Sequence, residues 1–81
     1  MIVSSAVMTK SGKIYAGKRH NNCFEAIRAD GNREIASGMT QGFLTENGVF
    51  LTRTQAEKYA RNSGQLTKPL IGSVLTSEDL W

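Results

Sequence analysis

Eighty-one residues with 40% apolar side chains, 21% charged side chains and one cysteine make a single domain with no internal disulfide. Ten Lys and Arg against seven Asp and Glu leave +3, enough for a few phosphates and little for a nucleic-acid polymer. No apolar run approaches the roughly 20 residues of a membrane span, and a core this small is expected to gain stability, and a concave site, by associating with further copies of itself.

Met1–Met8 is apolar, but it lacks a preceding basic stretch and is broken by Ser4 and Ser5. It therefore reads as a strand rather than a leader. With one unpaired cysteine this points to the cytoplasm. Ile2–Thr9 is a central strand candidate, with Val3, Ser5 and Val7 on one face and Ile2, Ala6 and Met8 on the other. Lys10-Ser11-Gly12-Lys13 turns it into Ile14–Gly17, the second arm of a hairpin. Asn22, with Glu25 three residues later, has the spacing of a capped helix start. Cys23, Phe24 and Ile27 form its buried stripe, and Asp30-Gly31-Asn32 stops it. Residues 32–38 are polar and read as a loop.

Met39–Thr45 is the third strand, with Gly42 marking a bulge or a close approach. Asn47-Gly48 is a strong hairpin signal, and Val49–Leu51 is the return strand. Thr52 caps a second helix with Gln55 at the box position, and Ala56, Tyr59 and Ala60 fall on one face. Ser63-Gly64 ends it. Leu70–Leu75 is open to an edge strand or an extended arm. No internal repeat is evident. The order is β-β-α-β-β-α, an α+β fold with an antiparallel β-sheet and two packed helices on one face, in a small single domain spanning 1–81.

Chemistry is carried by few residues. His20 and Cys23 stand as H-x-x-C without further ligands, which is too little for a zinc site. As a Cys–His pair they are less expected than Cys23 serving as a small buried hydrophobe. No phosphate-binding glycine loop is present. Lys18-Arg19-His20 precedes a helix start, where cationic side chains and free N–H groups suit an anion. Gln41-Gly42-Phe43 places an amide, a bare backbone and a ring in succession. Phe43 is either a nucleobase platform or a core ring, and Gly42 either a ligand contact or a bulge. Arg53 opens the second helix, where a cation opposes the dipole, so it is a candidate for a ligand phosphate. Lys58 and Arg61 belong to the exposed face of that helix.

The ordered set Ile14-Tyr15-x-Gly17-x-Arg19-His20, Gln41-Gly42-Phe43, Arg53-x-x-Ala56, Ser63-Gly64-Gln65 and Ser77-Glu78-Asp79-Leu80-Trp81 resembles the first-described Thoeris anti-defence proteins, small phage-encoded sponges. The resemblance spans nearly the whole chain. It implies a dimer or higher oligomer in the host cell cytoplasm that binds cyclic ADP-ribose isomers without cleaving them. It implies no cofactor, and in some assemblies a second site for cyclic oligonucleotides. By that resemblance Phe43 stacks on the adenine, and Arg19, His20 and Arg53 hold phosphates or ribose hydroxyls. Gln41 and Gln65 are polar neighbours, and Asp79-Leu80-Trp81 lies at a subunit boundary or the pocket rim. The chain is short for that family, and the region around 32–38 is trimmed.

Two other classes fit the residues less well. A small basic nucleic-acid-binding protein would lose affinity steeply with salt. An inhibitor of a host protein would use Leu80 and Trp81 as an anchor.

Overall fold

The apolar alternation of the first strand and its glycine-containing turn set the architecture. The computed structural model describes residues 1–33 and 38–81, so most of the loop predicted at 32–38 lies outside the described residues. β1 (Ile2–Met8) pairs antiparallel with β2 (Ile14–Gly17) on one side and with β3 (Thr40–Thr45) on the other. β4 (Phe50–Thr52) continues the sheet, in the order β2-β1-β3-β4. α1 (His20–Ala29) follows β2 and α2 (Arg53–Ser63) follows β4, as the α+β reading expects. No helix among the described residues is long and apolar enough to cross a membrane.

Both helices cover the same sheet face. Val7 and Tyr15 pack with Cys23 and Ile27 of α1. Ile2 and Phe43 pack with Ala56 and Ala60 of α2, together with Leu66 and Leu75. The predicted facing of β1 fails at its start. A bulge between Ile2 and Ser4 turns Ile2 into the core and leaves Val3 57% exposed, because two residues there oppose one on β3. On the other face the register places Ala6, Met8, Ile14, Ala16, Leu44 and Phe50, and none of that face's strand residues carries a charge.

The structure also shows a repeat that the sequence conceals. Each half is a ββα unit with the same turn. Thr9 N–H donates to Lys13 O at 2.8 Å and Gly12 N–H to Thr9 O at 2.9 Å. Thr45 N–H donates to Val49 O at 3.0 Å and Gly48 N–H to Thr45 O at 2.9 Å. Both threonine hydroxyls accept from the residue that closes the loop. Gly12 (φ 92°) and Gly48 (φ 78°) occupy the left-handed position of these three-residue loops. The two halves meet where Ala6 faces Gly42 in the β1–β3 pair, the axis of a pseudo-twofold.

Helix ends follow local chemistry. Thr52 caps α2 as expected: its hydroxyl accepts from Gln55 N–H, and the Gln55 side chain accepts from Thr52 N–H at 3.0 Å. α1 starts earlier than predicted. Arg19 is its N-cap, and Asn22 sits in the first turn, with its carbonyl accepting the Arg19 N–H at 3.0 Å. The side-chain acceptor thus comes from inside the helix, not from the residue before it. Beyond α2, residues 70–75 form neither strand nor free arm. The chain folds back so that Leu75 is buried, and Ser77–Asp79 makes a single 3-10 turn.

Candidate functional site

The two helix starts lie over the middle of the sheet, and the returning tail crosses between them. His20, the first residue of α1, points its Nε2 at Gly42 O, 2.8 Å away. A carbonyl only accepts, so Nε2 carries the proton. The imidazole stands perpendicular to the Phe43 ring, with centroids 5.0 Å apart. Burial lowers the His20 pKa, and the Arg53 charge adds to that. The Gly42 bond and Glu78 act the other way without reversing it.

A pKa lowered by folding means the native state disfavours the imidazolium. The stability due to neutral His20 is complete above its ordinary pKa of 6.5 and is lost as pH falls below it toward the native value. Urea midpoints measured from pH 7.5 down to pH 5 should fall, and His20→Gln should flatten that part of the profile.

Arg53, at the first position of α2, uses its guanidinium across the gap. One nitrogen donates to Leu75 O and the other to Gln41 Oε1 at 2.6 Å. Burial lowers its pKa, with Glu78 nearby opposing the effect. Arg19 donates from Nη1 to Ser77 Oγ at 3.1 Å. Both guanidinium groups thus rest on neutral oxygens, and among the described residues neither forms an ion pair with a carboxylate. Lys18 O accepts the Trp81 indole N–H at 2.9 Å, and the indole is perpendicular to Phe43 with centroids 6.5 Å apart.

Arg19, His20, Gln41, the Gly42 carbonyl and Arg53 therefore meet around the tail. Several predicted roles change. Phe43 has no exposed surface; it lies under His20, Trp81 and the helices, so no base can stack on it in this arrangement. Gly42 is bare because β4 approaches it. A Cβ there would lie 2.1 Å from Leu51 O and 2.7 Å from Phe50 Cζ, so strand packing, not a ligand, requires the glycine.

Gln65 lies away from this cluster. Its amide accepts from Ile2 N–H and donates to Ile2 O, both at 2.8 Å, acting as a one-residue strand partner for β1. Gln65→Ala should cost about 1–3 kcal/mol from two lost hydrogen bonds, read as a lower chemical-denaturation midpoint. Asp79 braces its own turn, accepting from Thr76 N–H and Oγ1 and from Ile71 N–H. Burial pulls the Asp79 carboxyl up, but these donors outweigh it and its pKa is lowered.

Cys23 is buried, its thiol donates to Arg19 O at 3.6 Å, and burial raises its pKa. With His20 bonded elsewhere, the two make no thiolate–imidazole pair. A depression of 360 Å3 lies on the outer side of α2, lined by Thr54, Glu57, Lys58, Arg61 and Asn62. It shares no residue with the cluster, and Arg61 there is paired with Glu57 at 3.2 Å.

The roles of Leu75 and Ser77 as anchors of the two arginines had no local signal, since a backbone oxygen and a small hydroxyl are acceptors everywhere. The one hint was Arg53 itself, a cation set against a helix dipole.

A family model for the phage T4 y16D protein matches residues 1–81. No curated protein matches the chain, and no solved structure does.

Proposed function

We propose that this chain, which belongs to the phage T4 y16D family, binds a cyclic ADP-ribose-type immune signal in the host cell cytoplasm and holds it without cleaving it. One observation carries this reading. Two guanidinium groups and a half-buried imidazole converge from two helix starts, and the guanidinium groups hold only neutral acceptors. A phosphate entering here exchanges neutral acceptors for an anionic one, which adds ion pairing and bidentate geometry to the guanidinium hydrogen bonds. Arg19 and Arg53 are the phosphate ligands of this proposal, and His20 and Gln41 meet ribose hydroxyls. The chemistry asked of the residues is binding alone, with no cofactor.

The working form is an oligomer, with the charge-free sheet face as the surface given to a second copy. The resemblance to the Thoeris sponges adds the class of signal, and a second site for cyclic oligonucleotides would belong to that assembly.

Isothermal titration with cyclic ADP-ribose tests the reading, with light scattering for subunit count. Binding in the range of about tens of micromolar or tighter and ligand recovered intact are expected, and Arg19→Ala should weaken binding by about tenfold, the loss of one charge-assisted bond. No binding, or turnover of the ligand, sinks the proposal. A steep salt dependence with an oligonucleotide would favour a nucleic-acid polymer as partner instead.

A further inference from the structure

The chain's one tryptophan lies against this cluster. The Trp81 indole is half-buried and lies across the covered Phe43 ring. Its N–H takes the Lys18 carbonyl, while Trp81 N–H of the backbone takes Ser77 O at 2.9 Å. The next residue after Lys18 is Arg19, whose guanidinium holds Ser77 Oγ. An aromatic ring, an N–H donor on a backbone carbonyl and an adjacent guanidinium are also the contacts that a purine nucleotide makes: base face, exocyclic amine and phosphate.

Leu75 and Ser77 are 1% and 3% exposed, so the tail is anchored in the core at these two residues. Leu80 and Trp81 beyond them are half-buried at the edge of that core.

We infer that Trp81 is an exchangeable aromatic plug, holding the position of a base beside Arg19 and Phe43 until a nucleotide displaces it. This rests on the nucleotide-binding reading above. Displacement uncovers part of the Phe43 ring and opens one acceptor position of the Lys18 carbonyl for the incoming base, the other being held by the Ser5 hydroxyl at 3.1 Å. The ring contact and one hydrogen bond that the plug must surrender together correspond to about a tenfold reduction in apparent affinity.

Because the chain has a single tryptophan, its own fluorescence reports the exchange. Saturating cyclic ADP-ribose should shift the emission to the red and raise its quenching by iodide. Trp81→Ala should bind cyclic ADP-ribose about tenfold more tightly than the parent. Trp81→Phe keeps a ring without the N–H and should fall between them; it also stands in if Trp81→Ala does not fold, as checked by far-UV circular dichroism. Weaker or unchanged binding by the variants, with the parent still binding, overturns the plug and leaves the nucleotide reading in place. Binding by neither the parent nor the variants overturns both.

Discussion

Phe43→Ala should lower the unfolding free energy by about 3–5 kcal/mol. The ring has no exposed surface and joins β3 to Ala56 and Ala60 of α2 and to Leu75 of the tail. Truncation leaves a cavity under three elements at once. It also removes the perpendicular partner of both His20 and Trp81. A domain of this size has a total stability of about 4–12 kcal/mol, so the variant should sit near its unfolding threshold. Urea unfolding followed by circular dichroism checks this. A ring serving mainly as a ligand platform would instead leave the midpoint unmoved and weaken nucleotide binding alone. Phe43→Leu keeps most of the volume and should recover more than half of the loss.

Gly42→Ala should cost about 3 kcal/mol or more, beyond the usual overpacking range because the obstacle is backbone. The added methyl would fall 2.1 Å from Leu51 O, which is held in the β3–β4 ladder and cannot move without breaking it. The Phe50 ring, 2.7 Å away, can rotate, but that relieves only part of the clash. The Gly42 carbonyl is also the acceptor for His20, so a shifted strand would loosen the helix start as well. For a domain of this size the loss corresponds to a fall in Tm of at least about 12 °C. Gly72→Ala is the matched control. A Cβ there meets nothing within 4 Å, and thermal unfolding should shift by no more than the equivalent of about 0.5 kcal/mol. Equal shifts for the two variants would mean that strand proximity is not what requires Gly42.

These two residues show where a one-dimensional reading stops. Gln41-Gly42-Phe43 was legible as a glycine beside a ring, and both the ligand and the packing explanations fit that string. Only the β4 backbone and the two helices, distant in sequence, decide for packing. Arg19, His20, Gln41 and Arg53 were legible as binding candidates, and the fold does bring them together. Gln65 and Asp79 were legible only as polar groups. Which hydrogen bonds they make depends on where Ile2 and Thr76 arrive.

Local chemistry by itself determined the element order, the Thr52–Gln55 cap and the two glycine turns. Each depends on residues within a few positions of one another, and short-range sterics and hydrogen bonding suffice to specify it. The bulge that turns Ile2 inward, the ββα pseudo-repeat about Ala6 and Gly42, and the tail seated between the helix starts were decided by tertiary structure. Each requires partners brought together across the chain, so no local pattern of residues encodes it. The +3 charge carries the same lesson. Its sign and size were plain in the composition, but that two of the cations would rest on neutral oxygens of the tail depended on the burial of Leu75 and Ser77.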